Sequence, residues 1–190
     1  MKRSYIAIIL MLGCNLLSCN AKENTLINYD KSLPDLIRDM RVDAKKISVL
    51  IDKSDYKLTL LCDTVVIKEY PVVFGGNPVD DKLRQGDQCT PEGNFQIISK
   101  YPHQHWSKFI WLNYPTRDSW ANHNRAKAAG TIPEDSKIGG EIGIHGVPNN
   151  LNSLVDLRRN WTLGCISMKN NDVDEIYPYI NKETKIHIRK

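Results

Sequence analysis

Two residues of this chain could together perform nucleophilic chemistry, a histidine and a cysteine twenty positions apart. His145 lies in Ile144-His145-Gly146, and Cys165 lies in Leu163-Gly164-Cys165-Ile166. A cysteine attacks a carbonyl as the thiolate, and a nearby imidazole can accept the thiol proton and later return it. The glycine before the cysteine lets the backbone approach a substrate and present amide N–H groups to a developing oxyanion. From spacing alone, a core histidine and a buried cysteine would explain the pair equally well.

Three ordered motifs resemble the L,D-transpeptidase (YkuD-type) family. In that family an Ile-His-Gly element precedes a Gly-Cys-hydrophobic element, as residues 144–146 precede residues 164–166 here. The segment 86–95 (GDQCTPEGNF) is similar to the family's Gly-Asp-x-x-Thr-Pro-x-Gly-x-Phe element. Residues 52–61 look like its opening hairpin, and residues 70–76 look like its strand that ends in glycine. The resemblance covers residues 47–190.

The resemblance implies a β-sandwich-like catalytic domain that acts on the peptide stems of peptidoglycan. By this resemblance Cys165 is the nucleophile and His145 is the general base. Gly146 would orient the histidine through its carbonyl, and amides near Gly164 and Cys165 would form the oxyanion hole. The cysteine would attack the carbonyl of a meso-diaminopimelate or similar L-centre in a donor stem, release a terminal D-amino acid and pass the acyl group to an amine. The resemblance implies neither a metal nor an organic cofactor.

Two departures from the family pattern concern the substrate. Leu163 stands where the commoner pattern has His, and Ser167 stands where it has Arg two residues after the cysteine. The variant looks like the YafK-type branch, some of whose members hydrolyse cell-wall linkages. An arginine would bind a substrate carboxylate in a fork; Arg158 or Arg159 could replace it, or could be a solvated surface pair. Ser167 itself and Trp120 are further candidates for substrate contact.

Three functions therefore remain open from the sequence. The first is a transpeptidase that crosslinks stems or attaches proteins to them, and the second is a hydrolase that uses the same Cys165 and His145 with water. The third is a non-catalytic lipoprotein that binds the wall, although retention of both residues argues against it.

The pattern along residues 46–190 predicts a single, mainly β domain with one or two short helices and long loops. Alternating and β-branched residues predict strands at 47–51, 57–61, 65–74, 93–99, 142–145 and 184–188. A helix is expected after Asn170 or Asn171, where Val173, Ile176 and Ile180 fall on one face. Residues 101–140 have no sustained period and are expected to form long loops with short elements.

The N-terminus predicts export and lipid attachment. Lys2-Arg3 precede an apolar run, and Leu16-Leu17-Ser18-Cys19 resembles a lipobox, so residues 1–19 are interpreted as a lipoprotein signal with Cys19 lipidated. An ordinary cleaved signal with incidental cysteines is the alternative. Residues 20–45, which include a short amphipathic stretch at 35–40, are expected to be a tether that holds the domain at a bacterial membrane.

Charge and cysteine counts restrict the remaining possibilities. The net charge is +4, of which Lys2 and Arg3 carry two, so the remainder has only +2 and gives no reason to expect a nucleic-acid partner. Outside the signal region the cysteines are Cys62, Cys89 and Cys165. Cys62 and Cys89 could pair or could both be small buried apolar residues. Zinc-type spacings are absent, so no metal site is expected.

Overall fold

The computed structural model describes residues 25–149 and 151–190. The predicted signal, residues 1–19 with the lipid acceptor Cys19, lies outside the described residues, as does the beginning of the predicted tether. Within the described ranges, no helix has both the length and the apolar character needed to cross a membrane.

Eight strands form a closed barrel. In chain order they are β1 (Ile47–Asp52), β2 (Lys57–Cys62), β3 (Val65–Val73), β4 (Gly93–His103), β5 (Ser107–Leu112), β6 (Gly143–His145), β7 (Ile166–Met168) and β8 (Lys185–Arg189). Around the barrel the order is β1-β2-β3-β7-β6-β5-β4-β8. The pairs β1–β8 and β6–β7 are parallel, and the other neighbouring pairs are antiparallel.

The barrel corrects the expectation of a β-sandwich. The C-terminal strand β8 pairs with β1 on one side and with β4 on the other, so the sheet closes on itself and leaves no open edge there. Alternation along β8 is regular, with Ile186 and Ile188 buried between exposed neighbours. Because inward and outward residues alternate in the same way in sandwiches and barrels, the sequence pattern does not distinguish the two architectures.

The described residues contain four α-helices, where one or two were expected. They are α1 (Leu33–Asp39), α2 (Arg117–Ala128), α3 (Ser153–Asp156) and α4 (Asn170–Ile176). Helix α2 lies in the region that was expected to be loop, and only Ser119, His123 and Ala126 are buried on it. Its helical pattern is therefore weak, and its clearest sequence signal is the cap, where the Thr116 side chain accepts from the Ser119 amide.

The predicted tether is docked onto the barrel over much of its length. We call residues 27–40 the strap. Ile27 exchanges hydrogen bonds with Glu69, the Tyr29 hydroxyl donates to Asp172 over 2.9 Å, and the Leu33 amide donates to Glu175 over 2.8 Å. Leu33 is fully buried and Leu36 nearly so, and both join the main core cluster. The amphipathic helix that was expected at 35–40 exists as α1, and its apolar face explains why this segment does not extend freely.

Candidate active site

The two predicted catalytic residues lie on neighbouring parallel strands. His145 ends β6, and Cys165 directly precedes β7. In the register between these strands, Ile144 is opposite Ile166 and His145 is opposite Ser167. The structure thus brings together the two motifs that are twenty residues apart in the sequence, on the arc of the barrel opposite β8.

His145 is oriented by the backbone of the next residue. Its Nδ1 lies 2.6 Å from the carbonyl oxygen of Gly146. A carbonyl only accepts, so Nδ1 carries the proton and Nε2 keeps its lone pair. Burial lowers the pKa of His145 to about 4, the Gly146 carbonyl partly offsets this, and His103 lowers it slightly further. The imidazole is therefore neutral at neutral pH and can act as a base through Nε2.

Aromatic rings enclose the His145 side chain, of which only 2% is exposed. Trp106 stacks on it, with ring centres 4.4 Å apart and an angle of 24° between the planes. Phe109 is nearly parallel to it at 5.7 Å, and Trp161 presents an edge at 5.6 Å. These contacts explain both the burial that lowers the pKa and the fixed orientation of the ring.

The Cys165 thiol is held by the backbone at the start of β6. Its Sγ donates to the carbonyl of Glu141 over 3.4 Å and accepts from the amide of Gly143. Burial raises the pKa of this thiol to about 11, and the Gly143 amide and the Lys82 charge only partly oppose that effect. The resting cysteine is therefore protonated, and a thiolate has to be generated during reaction.

The two glycines of the motifs are required by close approaches. A Cβ at Gly146 would lie 2.1 Å from Asn170 Oδ1 and 2.5 Å from the carbonyl oxygen of Trp106. Gly164 has φ +141°, and a Cβ there would lie 2.7 Å from the carbonyl oxygen of Cys89. Any side chain at either position would push neighbouring backbone away from the site.

The amide of Gly164 is not free to bind an oxyanion. It donates to Thr162 Oγ1 over 3.1 Å, and that hydroxyl in turn donates to the carbonyl of Cys165 over 2.7 Å. The expected contribution of Gly164 to an oxyanion hole is therefore corrected. Thr162 instead closes the turn before the cysteine and fixes the direction of the Cys165 backbone.

The segment 86–91 from the Gly-Asp-x-x-Thr-Pro element packs beneath this turn. Asp87 accepts from the amides of Leu83, Arg84 and Cys89 and from the Lys82 ammonium, which lies 2.8 Å away. These bonds fold the loop so that the Cys89 carbonyl reaches Gly164. The motif thus supports the cysteine turn from below.

Ser167 does not face a substrate. Its side chain is fully buried, and Oγ donates to the Gly146 carbonyl over 3.3 Å. This side chain does not support the predicted substrate contact, because strand alternation places it on the face that carries His145, away from the core residues Ile166 and Met168. Its hydroxyl is used by Gly146. The Gly146 carbonyl consequently accepts from both Ser167 and His145, which fixes its direction.

The remaining candidates for substrate contact are all exposed. The guanidinium of Arg158 lies 5.1 Å from the centre of the Tyr56 ring, and Arg159 follows it after α3. Trp120 lies on α2 with 47% of its surface exposed and contacts His123 edge-on. Leu163, next to the cysteine turn, is 78% exposed and is the most open large apolar residue among those described.

Cys62 and Cys89 are both free thiols. Cys89 is buried beside Gly164, and burial raises its pKa to about 11. They do not form a disulfide, and of the two only Cys89 is a buried residue as the alternative expected, because Cys62 is half-buried.

Two contributors to the site carried no recognisable sequence signal. Trp106 lies in residues 101–140, which were expected to form loops, and Glu141 contributes through its backbone carbonyl, which no sequence pattern reveals. Both act through positions that the β4–β5 hairpin and the approach to β6 create.

Comparison with known proteins places this geometry in a family. The family model of the L,D-transpeptidase catalytic domain (YkuD) matches residues 46–188. No curated protein is similar enough in sequence to match the chain.

Solved structures share the fold at low sequence identity. Bd1075 from Bdellovibrio bacteriovorus is 22% identical with a TM-score of 0.53, over 76% of this chain and 48% of its own. The helical cell shape determining protein Pgp2 from Campylobacter jejuni is 19% identical with a TM-score of 0.56, over 84% of this chain and 55% of its own. L,D-transpeptidase 3 from Mycobacterium tuberculosis, in complex with a faropenem-derived adduct, is 12% identical with a TM-score of 0.51, over 76% of this chain and 60% of its own.

The chain spans about half the length of the first two of these structures. Those likenesses support the fold alone, whereas the family model covers most of the chain, including both site motifs. This chain belongs to the L,D-transpeptidase (YkuD) catalytic domain family.

Proposed function

We propose that the chain is a cysteine-dependent L,D-transpeptidase that acts on the peptide stems of peptidoglycan through an acyl-enzyme. Cys165 is the nucleophile and His145 is the general base. The observation that carries this proposal is the bond from His145 Nδ1 to Gly146, because it leaves Nε2 as a neutral base on the strand that pairs with β7, which Cys165 directly precedes.

The first half-reaction forms a thioester. His145 Nε2 takes the proton of the Cys165 thiol as Sγ attacks the carbonyl carbon of the L-centre in the donor stem. With the Gly164 amide occupied, the amide of Cys165 itself is our candidate donor to the developing oxyanion. The C–N bond then breaks, and the terminal D-amino acid leaves with the proton that His145 returns to its amine.

The second half-reaction transfers the acyl group. An acceptor amine attacks the thioester, His145 accepts the amine proton, and the C–S bond breaks to release Cys165. The protonated His145 then returns its proton to the sulfur. A neutral thiol in the resting state suits this sequence, since the proton has to leave the sulfur only while a donor carbonyl is in position.

The test is turnover of purified stem peptides followed by mass spectrometry. The wild type should consume a donor stem and yield a product joined to an amine acceptor. A Cys165→Ala protein should keep the far-UV circular dichroism of the wild type and form no product, with a loss of at least about 10⁴-fold. Normal turnover by folded Cys165→Ala would overturn the proposal.

Hydrolysis by the same residues is the second candidate. The observation that favours it is the absence of the family's cation two residues after the cysteine, where the buried Ser167 stands instead. Water would then replace the amine in the second half-reaction. The same mass measurement separates the two, because hydrolysis yields a free carboxylate and transpeptidation yields a new amide.

We also propose that the protein is exported and held at a bacterial membrane by lipid on Cys19. The support is the lipobox-like Leu16-Leu17-Ser18-Cys19 behind a short basic and apolar segment.

A further inference from the structure

Two aromatic rings at the tip of the β4–β5 hairpin, His103 and Trp106, stack in series on His145. The His103 ring lies parallel to Trp106, with centres 4.4 Å apart and an angle of 12° between the planes. Trp106 in turn lies 4.4 Å from the His145 ring at 24°. His103 and Trp106 are half-buried, and none of the steps of the proposed reaction uses either residue.

His103 also shapes the backbone of the hairpin tip. Its Nδ1 accepts from the amides of His105 and Trp106, each over 3.2 Å. An imidazole nitrogen that accepts two amides carries its lone pair there, so in this arrangement the proton is on Nε2. The ring therefore caps the turn much as an Asx side chain would, and it sets the position of the Trp106 backbone.

Trp106 contacts both the His145 ring and the backbone of Gly146, whose carbonyl orients that ring. Its ring covers one face of His145, and its carbonyl accepts from the Gly146 amide over 3.0 Å. The bond between His145 Nδ1 and the Gly146 carbonyl fixes only one atom of the imidazole, whereas the stacked rings of Trp106 and Phe109 fix its plane. A shift of Trp106 would consequently move both the ring and the carbonyl that orients it.

We propose that His103 is a positioning residue for the base His145, acting through Trp106. It holds Trp106 in two ways, by ring stacking and by the two hydrogen bonds that its Nδ1 accepts. Removing either would let the His145 ring rotate and exchange tautomers, while the donor stem would still bind. The proposal rests on the proposed function, in which His145 is the base.

Two variants of His103 separate the ring stacking from the hydrogen bonds to Nδ1, and a variant of the neighbouring His105 serves as control. His103→Phe keeps a flat ring but loses the nitrogen acceptor, and His103→Asn keeps an acceptor but loses the stack. His105→Phe changes an exposed ring on the same hairpin tip that does not stack on Trp106. Each variant is measured for kcat and KM on stem peptides and for thermal unfolding.

The substrate-free measurement is the nitrogen spectrum of histidine-labelled protein across pH. In the wild type, His145 should remain the neutral Nδ1-protonated tautomer down to about pH 4. In both His103 variants it should show mixed tautomers and take up its proton at higher pH. We expect kcat to fall about 10-fold with KM within about twofold, which corresponds to a displacement well below 1 Å.

The possible outcomes separate the positioning role of His103 from the proposed function. Unchanged kcat and an unchanged His145 spectrum in both His103 variants would overturn the positioning role, even if thermal stability fell. The same changes in His105→Phe would also overturn it, since the effect would then belong to the hairpin tip in general. A wild type that is inactive on stem peptides, with the expected spectral changes in the His103 variants, would remove the proposed function and leave the positioning of His145 standing.

Discussion

At the scale of single residues, the resting site is a neutral pair. Burial raises the pKa of the Cys165 thiol to about 11 and lowers that of His145 to about 4. Between these values the proton stays on sulfur and the imidazole is uncharged. The pair differs from a preformed thiolate–imidazolium ion pair, in which the thiol pKa lies below that of the histidine. The resting site therefore holds no reactive thiolate.

The pH dependence of Cys165 alkylation tests this protonation state. With iodoacetamide and no substrate, the rate should be low at pH 7 and should keep rising toward about pH 11, because only the thiolate reacts. Peptide mapping by mass spectrometry assigns the modification to Cys165 and separates it from Cys62 and Cys89. A rate that reaches its plateau below pH 7 would show a stable thiolate and contradict the neutral pair.

Gly146 offers a test of how tightly the base is held. Gly146→Ala should lower kcat about 10²-fold, because the new methyl group would displace Asn170 or Trp106 and with them the carbonyl that orients His145. Gly140→Ala is the matched control, since a Cβ there has no neighbour within 4 Å. Steady-state kinetics on stem peptides provide the measurement. Equal losses in both variants would contradict the role of the close approach at Gly146.

At the scale of secondary-structure elements, the strap contacts both the main core and helix α4. Through Leu33 and Leu36 it contributes to the main core, and through Tyr29 it reaches Asp172 on α4. Burial raises the pKa of Asp172 to about 6, and the Tyr29 hydroxyl that donates to it partly opposes this. The first residue of α4, Asn170, lies against Gly146. One short helix therefore contacts both the strap and the backbone that orients His145.

Truncation of Leu33 tests whether the strap belongs to the folded unit. Leu33→Ala should lower the free energy of unfolding by about 3 kcal/mol, the usual cost for a fully buried leucine. Met40→Ala, at the exposed end of the same helix, should change it by less than about 1 kcal/mol. Urea unfolding of the two variants beside the wild type is the measurement. No difference between Leu33→Ala and the wild type would mean that the strap is not docked in solution.

Elements with strong local patterns could be predicted, and those defined by distant contacts could not. Strands β1, β2 and β3 are rich in β-branched and apolar residues and lie close to their predicted bounds, and β1 also alternates in burial over its first residues. Strand β5 lies in the Trp-rich region and β7 is only Ile166–Met168, so neither shows a period long enough to recognise. Barrel closure depends on β8 pairing with β1 across the length of the chain, which leaves no local trace.

In the candidate site, too, some residues could be predicted from the sequence and others depend on distant contacts. His145 and Cys165 could be named because their motifs resemble those of a known family. The reason for the glycines beside them could not be predicted, because it lies in close approaches of Asn170, Trp106 and Cys89, which are distant in the sequence. The roles of Ser167 and Trp106 depend on which way a strand or a hairpin tip presents a side chain to a neighbouring strand. That information arises only when β5, β6 and β7 come together in one sheet.

At the scale of the whole molecule, the proposed lipid on Cys19 is the testable feature. Intact-mass analysis of protein extracted from membranes should show an acylated cysteine at residue 19 as the first residue. Cys19→Ser should move the protein to the soluble fraction or leave it as uncleaved precursor. A mature protein that begins elsewhere, without added lipid mass, would contradict the proposal.

Under the proposed lipid attachment, the docked strap would also set how far from the bilayer the barrel can lie. Glu69 on the barrel holds Ile27 through two hydrogen bonds, so only residues 20–27 separate the proposed lipid from the folded body. Even fully extended, eight residues span about 28 Å, whereas a free tether of residues 20–45 would span about 90 Å. Under the proposed lipid attachment, the folded body would stay within the shorter of these distances from the membrane surface. The proposed reaction would then be limited to stem peptides of wall strands that come within that reach of the membrane.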